Sequence, residues 1–218
     1  MRFLECCCTS ASEALEAYLG GAGRIELCSR LDVGGVTPSE ALLKEVLAAT
    51  PLPVNVLVRP REGDFCYSEA EALQMLGSIE ACKRLGANGI VIGALTPAGD
   101  VDMPLMKRLI AASRPLPVTF HRAFDVCRDP LEAFADVQAL GCERLLSSGH
   151  EPSAYEGRFL LRKLVDLSKG IIVMPGAGIN PSNIAALEAD TGAGEYHGSA
   201  HGKSGHTEQE TVAAIVNH

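Results

Sequence analysis

The sequence contains neither a basic cluster nor a long apolar run. Its 218 residues include 19 Lys and Arg against 27 Asp and Glu, which gives a formal net charge of −8. An acidic chain without basic patches is a poor partner for nucleic acid and for anionic membrane surfaces. No apolar stretch approaches the roughly 20 residues that a helix needs to span a bilayer. We therefore expect a cytoplasmic protein that binds neither nucleic acid nor membrane.

Motifs that would assign a function directly are also missing. There is no HExxH zinc motif, no Walker loop and no spacing typical of a Ser-His-Asp triad. The eight cysteines include no CxxC pair, which argues against a zinc ribbon and against a thioredoxin-like redox site. Disulfide frameworks belong mostly to small secreted domains. We therefore expect reduced thiols, and a site has to be inferred from the predicted fold.

What the sequence does contain is a regular alternation of short apolar runs and helix-length segments. Eight runs have the length and composition of parallel strands that are buried on both faces. They are Arg2–Cys7, Arg24–Cys28, Val54–Val58, Gly89–Ile92, Pro117–His121, Arg144–Leu146, Ile171–Met174 and Glu195–His197. No linker, low-complexity tract or change of composition divides the chain.

Start signals for helices stand between these strands. Ser10, Thr37, Ser68 and Thr207 each precede a Glu by three residues, as in a capping box, and Asp129 directly precedes a proline. Eight strand–helix units in a chain of this length predict an α/β protein built as one (β/α)8 TIM barrel.

The predicted barrel is a single domain over residues 1–218. A doubly wound open sheet is the alternative, but the turn after its first strand usually carries glycines, and none is found there. The C-terminal repeat is shortened, and we expect its polar, glycine-rich segment 198–206 to be flexible.

The first two predicted strands end in the same pattern, a Glu followed two residues later by a Cys. Side chains two apart on a strand share a face, so Glu5 points the same way as Cys7, and Glu26 the same way as Cys28. If the two strands pair in register, the thiols come close together. Paired thiolates suit a soft ion such as Cu(I), and Cys7 and Cys28 are the predicted metal ligands. The alternative is that these cysteines fill tight space as small buried hydrophobes.

Charged side chains end other predicted strands on the same side of the barrel, where TIM barrels place their chemistry. Arg59 and Arg61 follow strand three, His121 ends strand five, and Asp125 lies in the loop after it. We predict that Arg59 and Arg61 bind an anionic substrate, with a contribution from Asp125. His121 would act as general acid or base, oriented by one of the two glutamates above, which are also catalytic candidates. The alternative is a buried salt-bridge network that fixes strand register.

Glycines follow the last two predicted strands. In many barrels the loops after strands seven and eight bind phosphate through backbone N–H groups. Tight turns also need glycine for conformational reasons, but the position in the seventh and eighth repeats favours an anion site. The predicted substrate-binding residues of this region, with a serine after strand six, are Ser147, Gly176, Gly178, His197, Gly198 and Ser199.

Together these segments resemble one known family, the CutC-type copper homeostasis proteins. The similarity covers residues 2 to about 200 and rests on LECCCTS, RIELCSRLDVGGVTPS, VLVRPREGDFCYS, VTFHRAFDVCRDP, MPGAGIN and YHGSA. The resemblance implies a cytoplasmic TIM barrel that forms a homo-oligomer, a dimer or a tetramer, in a family named for a role in copper homeostasis. The thiols proposed to bind copper in the family would fall on Cys7 and Cys28. The chain departs from the family after Ala200, where a longer basic and aromatic segment is usual.

Two functions follow from these patterns. The first is copper homeostasis, with Cu(I) held by the two barrel-end thiols. The second is a barrel enzyme of unassigned reaction, acting on a small phosphorylated or carboxylated metabolite. A third view is that the barrel is an assembly scaffold that binds neither ligand.

Overall fold

Eight short parallel strands form the interior of the protein. The computed structural model describes residues 1–217. The strands pair in the order β7-β6-β5-β4-β3-β2-β1-β8, and a parallel bridge from Gly176 to His197 joins the two ends. The ring is therefore nearly closed, which confirms the predicted TIM barrel over the open sheet. In chain order, β1 to β8 are Phe3–Cys8, Arg24–Leu27, Val54–Leu57, Gly89–Ile92, Val118–Phe120, Arg144–Ser147, Ile172–Pro175 and Glu195–Gly198.

One helix follows each strand and packs on the outside of the barrel. Apolar side chains of the helices and of the strands form one continuous core. Within residues 1–217, no helix combines the length and the apolar character that crossing a membrane requires. The helices α1 to α8 are Ala11–Leu19, Glu40–Ala49, Glu69–Leu85, Met103–Ser113, Pro130–Ala139, Arg158–Leu167, Ile184–Thr191 and Gln209–Asn217.

The helix starts show which of the predicted caps form. Ser10 and Ser68 accept hydrogen bonds from backbone N–H groups in the first turns of α1 and α3, and Asp129 does the same for α5. These caps are confirmed. The cap of α2 is Ser39 rather than Thr37, because the Thr37 hydroxyl bonds instead to the backbone of the β3–α3 loop.

The alternation of side chains along β1 separates two environments. Cys6 and Cys8 belong to the core under the helices, whereas Cys7 belongs to a small cluster inside the barrel. Glu5 also points inward, where its carboxylate meets partners from other strands. The predicted common orientation of Glu5 and Cys7 is therefore confirmed. β1 and β2 pair with an offset of two residues between their Glu-x-Cys patterns, so that Cys7 lies opposite Glu26.

An ion-pair network occupies the barrel interior between β1, β2, β6 and β8. The fully buried Glu5 accepts a hydrogen bond from Arg24 Nε at 2.5 Å, and its other oxygen lies 2.9 Å from His197 Nδ1. Arg24 and Arg144 both pair with Glu195. Burial alone would raise the pKa of Glu5, but His197 and Arg24 together lower it to about 2. The carboxylate is thus held ionised, and the network fixes the strands relative to one another.

The segment after β8 is short and hydrogen-bonded. A backbone bridge joins His201 to Thr207, and Thr207 Oγ1 donates to the carbonyl of Ser199 at 2.9 Å. Thr207 thus bonds back to β8 instead of capping α8, which begins at Gln209. α8 packs against α1 and β1 and completes the eighth repeat. The flexibility expected of residues 198–206 concerns motion and stays a prediction.

Replacing Glu5 with Gln should lower the free energy of unfolding by roughly 3–5 kcal/mol, because Arg24 and His197 would lose a buried ionic partner. The comparison variant is Glu62→Gln, whose surface pair with Arg30 should be worth less than about 1 kcal/mol. Chemical denaturation of the three proteins at neutral pH measures both losses. Equal losses in the two variants would contradict a structural role for the Glu5 network.

The same comparison should depend on pH. The folded-state pKa of Glu5, about 2, lies below its ordinary value of 4.5. Its contribution to stability is therefore complete above about pH 4.5 and is lost as the pH falls toward 2. The stability difference between the wild type and Glu5→Gln should shrink over this interval, and a constant difference would show that Glu5 is not ionised in the folded protein.

Candidate functional site

A cavity of about 290 Å³ lies at the carboxyl ends of the strands. Its position is the usual one for TIM-barrel chemistry, and its volume is close to the lower end of small-molecule sites, roughly 300 Å³. Apolar walls come from Leu31, Leu57, Leu146 and Ile179. Nine of the predicted site residues line it: Cys7, Glu26, Cys28, Arg59, His121, Gly178, His197, Gly198 and Ser199.

The thiols of Cys7 and Cys28 meet at the ends of β1 and β2. Their Sγ atoms are 3.6 Å apart, and Cys7 Sγ also lies 3.7 Å from Glu26 Oε1. Both cysteines are buried beside Leu57 and Val91. The hydrogen bond with Cys28, burial and the Glu26 carboxylate raise the pKa of the Cys7 thiol well above its ordinary value. A bound ion would therefore have to displace a proton from Cys7.

Two further donors lie near the Cys7 thiol. In the described part of the chain, Cys7, Glu26 and His197 form a group whose donor atoms all lie within 4.8 Å of one another. Glu26 Oε2 is buried and has no hydrogen-bond partner among residues 1–217. His197 is less available, since its Nδ1 is engaged by Glu5. Burial disfavours the imidazolium, yet the carboxylates of Glu26 and Glu5 raise the pKa of His197 to about 9. The thiol pair and Glu26 are the donors best placed for an ion.

The two glutamates that share the Glu-x-Cys pattern differ in protonation. Burial raises the pKa of Glu26 to about 7, with His197 opposing the rise and Glu5 adding to it. Glu5 has two cationic partners, whereas the hydrogen bond of Glu26 comes from the Cys7 thiol. Glu26 therefore changes protonation near neutral pH, and it is the glutamate better suited to proton transfer.

His121 presents a fixed hydrogen-bond donor. Its Nδ1 accepts the backbone N–H of Ala123 at 3.1 Å, so in the neutral ring the proton lies on Nε2. Nε2 is buried, and no residue among 1–217 bonds to it. Burial and the nearby charge of Arg59 lower the pKa of His121 to about 3. This differs from the predicted general acid or base near neutral pH, because the ring stays neutral and donates.

Arg59 is held by carbonyl groups rather than left free as a bidentate clamp. One terminal nitrogen donates to the carbonyls of Val33 and Gly35, at 3.1 and 2.9 Å, and the other donates to Gly63 at 2.8 Å. The guanidinium also lies over the ring of Phe65, 4.7 Å from its centre. Arg59 therefore joins the loops after β2 and β3 and places its positive charge in the cavity wall.

Backbone N–H groups line the side of the cavity formed by the loops after β7 and β8. Among residues 1–217, nothing accepts a hydrogen bond from the N–H of Gly178, Ile179 or Ser199. Ala177 and Gly178 both have positive φ, 79° and 75°, a conformation that is costly for alanine. The predicted glycine-rich loop is therefore a wall of the cavity that presents free donors.

Five predicted residues lie outside the cavity lining. Glu5 belongs to the buried ion network, and Arg61 pairs with two carboxylates near the surface. Asp125 accepts a hydrogen bond from Ser147 Oγ at 2.6 Å, so these two residues tie neighbouring loops together. The N–H of Gly176 donates to the carbonyl of Ser147. The catalytic role of Glu5 and the substrate roles of the other four residues stay predictions.

Two residues that shape the site were not predicted from the sequence. Phe65 packs on His121 with ring centres 5.0 Å apart, as well as on Arg59. Gly93 follows β4, and a Cβ atom there would lie 2.6 Å from the His121 ring. Two features of the sequence could have indicated them: an aromatic residue in the loop between β3 and α3, and a glycine directly after β4, where most other strands are followed by a residue with a side chain.

Comparison with known proteins identifies the family. The model of the CutC family matches residues 2–202. The chain belongs to the CutC family. A CutC family protein from Parabacteroides distasonis is 50% identical over 201 residues, covering 91% of this chain and 83% of the relative. The copper homeostasis protein cutC homolog of Mus musculus is 48% identical over 198 residues, covering 90% of this chain and 73% of the relative.

Solved structures agree with this assignment. The crystal structure of CutC from Streptococcus agalactiae matches with a TM-score of 0.86 at 30% identity, over 91% of this chain and 99% of that chain. Thiamine phosphate pyrophosphorylase from Pyrococcus furiosus matches with a TM-score of 0.68 at 15% identity, over 98% of this chain and 93% of that chain. The second likeness shows a shared fold.

The two cavity histidines should carry opposite charge states at neutral pH. His121 should be neutral between pH 5 and 8 with its proton on Nε2, whereas His197 should be charged over the same range, since their pKa values are about 3 and about 9. Nitrogen-15 NMR of the imidazole rings measures both the charge and the proton position. Titration of His121 near the ordinary value of 6.5, or a proton on its Nδ1, would contradict this description.

Proposed function

We propose that this CutC protein binds Cu(I) through Cys7 and Cys28 and takes part in copper homeostasis. The observation that carries the proposal is the 3.6 Å separation of the two buried thiols beside the cavity. Thiolate sulfur is a ligand that selects Cu(I). The name of the mouse relative, a copper homeostasis protein homolog, supports the same function.

The donor set fits a soft ion better than a hard one. The two sulfurs come first, and Glu26 Oε2 supplies a third donor that no other described residue uses. Mg²⁺ and Ca²⁺ need several oxygen ligands, whereas this group of side chains offers one carboxylate, that of Glu26. The arrangement therefore favours a soft, sulfur-bound ion.

The surrounding charges also suit this ion. Two thiolates and one Cu(I) ion together carry one negative charge, which is costly to bury without compensation. His197 belongs to the same group of donor atoms, and the neighbouring carboxylates favour its charged form. We assign His197 the role of a compensating positive charge. A protonated His197 ring cannot bind the metal ion through the nitrogen that carries the proton.

Location and assembly complete the proposal. Free thiols persist in reducing compartments, and all eight cysteines of the chain are free. We therefore propose a cytoplasmic location. The homo-oligomer of two or four subunits stays a prediction from the family, and light scattering after size-exclusion chromatography would measure it.

The double change Cys7→Ser/Cys28→Ser should abolish tight one-to-one Cu(I) binding, since both soft ligands are removed. The affinity should fall by more than the roughly 10- to 100-fold that loss of an outer-shell partner costs. The measurement is competition of the reduced, oxygen-free protein against a coloured Cu(I) chelator. Tight binding that survives the double change would refute the assignment.

A matched control lies on the opposite face of the same strand. Cys6 and Cys8 flank Cys7 but belong to the outer core, and their thiols donate to the carbonyls of Ser199 and Cys6. Serine can make the same donations. The change Cys6→Ser/Cys8→Ser removes the same number of thiols and should leave the Cu(I) affinity within a few-fold of the wild type.

A further inference from the structure

The cavity contains a buried cation without an anionic partner. Arg59 is 5% exposed, and its guanidinium bonds to carbonyl groups, with no carboxylate of residues 1–217 within ion-pair distance. Its Nε makes no hydrogen bond of good geometry in that part of the chain, although the Tyr67 hydroxyl lies near the guanidinium. Buried charges in proteins are usually paired, so an unpaired arginine beside a cavity points to an anion as its ligand.

A second, independent donor belongs to His121, another residue that lines the cavity. His121 Nε2 is buried and unpartnered, and the bond from Ala123 to Nδ1 makes it a donor. Phe65 packs on the His121 ring, and the absence of a side chain at Gly93 leaves space for that ring. The orientation of the Nε2–H group is therefore set by packing. Folded proteins satisfy roughly 90% or more of their buried polar groups, which makes this free donor unusual.

The loops after β7 and β8 supply further donors. The N–H groups of Gly178, Ile179 and Ser199 have no acceptor among residues 1–217. Glu26 is the one acidic residue among the described residues that line the cavity. It accepts a hydrogen bond from Cys7, at the ends of β1 and β2. His121 follows β5, four strands further round the barrel. His121 therefore lies across the barrel from the thiols, whereas Ser199 follows β8, the neighbour of β1.

We infer that this cavity also binds the oxyanion group of a small organic molecule, a carboxylate or a phosphate, with His121 Nε2 and the loop N–H groups as donors. The charge of Arg59 supplies long-range attraction. Leu31, Phe65 and Ile179 give the same cavity an apolar surface that suits an organic body. This site goes beyond copper binding and does not depend on the thiols.

Isothermal titration calorimetry of the reduced, copper-free protein tests the inference. The probes are inorganic phosphate, pyruvate and phosphoglycolate, which present a phosphate, a carboxylate and both. We expect saturable one-to-one binding of at least one probe, and the first two probes show which oxyanion is preferred. Absence of saturable binding by all three at millimolar concentration would overturn the inference.

Two substitutions of His121 separate its donor from its structural role. His121→Asn keeps an acceptor near the position of Nδ1 for the Ala123 N–H but removes the cavity donor, and asparagine is a good cap. The affinity for the probe should fall roughly 10- to 100-fold, as expected for a hydrogen bond to a charged group. His121→Gln can place an N–H near the position of Nε2 and should retain more of the affinity than His121→Asn.

A control variant tests whether net charge alone affects the affinity. Arg61→Gln removes one positive charge outside the cavity and should change the affinity by less than about threefold, because surface charges are screened. Equal losses of affinity in Arg61→Gln and His121→Asn would overturn the proposed site.

A measurement on the unmodified protein guards against misfolding of the variants. The nitrogen-15 signal of His121 Nε2 should shift during the probe titration with the same dissociation constant that calorimetry gives. An unperturbed His121 signal at saturation would show that the anion binds elsewhere.

Discussion

The carboxylate of Glu5 is the point on which the arrangement of the barrel interior depends. It accepts hydrogen bonds from Arg24 on β2 and from Asn55 on β3, and it pairs with His197 on β8. One side chain of β1 is thereby joined to three other strands. Because side chains alternate along a strand, the position of Glu5 also fixes that of Cys7, two residues further on. The ion network and the thiol pair are therefore consecutive layers of one barrel interior.

Above that network the cavity has two chemically different sides. The β1–β2 side carries two thiols and Glu26, whose preferred partner is a soft cation. The side formed by β5 and by the loops after β7 and β8 carries hydrogen-bond donors, with the unpaired charge of Arg59 in the wall from β3. The side chain between the two sets is His197, whose charge is set by the glutamates. A cation and an anion can thus be bound in one cavity without competing for the same atoms.

The fold could be predicted from the sequence because it depends on local patterns. Buried parallel strands, capped helices and the two-residue period of Glu5 and Cys7 are all readable from neighbouring residues. The electrostatics of the site could not be predicted in this way. Glu5 and Glu26 stand in the same sequence pattern, yet Arg24 and His197 hold the first ionised while burial raises the pKa of the second.

The surroundings of the predicted site residues could not be predicted for the same physical reason. His121 was expected to titrate near neutral pH, but burial beside a cation keeps the ring neutral. Arg59 was predicted to bind an anionic substrate, and three backbone carbonyls from two loops hold its guanidinium. Asp125 and Ser147 were predicted to contact substrate. In the structure, Ser147 donates a hydrogen bond to Asp125. Each outcome depends on residues that are distant in sequence and meet through packing.

The central claim is that two sulfur atoms from neighbouring strands bind one copper ion. X-ray absorption spectroscopy of the protein loaded with one equivalent of Cu(I) tests this directly, because it reports the oxidation state and the elements bound to the metal. We expect a Cu(I) edge and two sulfur neighbours, both of which disappear when Cys7 and Cys28 are replaced by Ser. A copper environment of nitrogen and oxygen alone, or an unchanged spectrum in the double variant, would contradict the account.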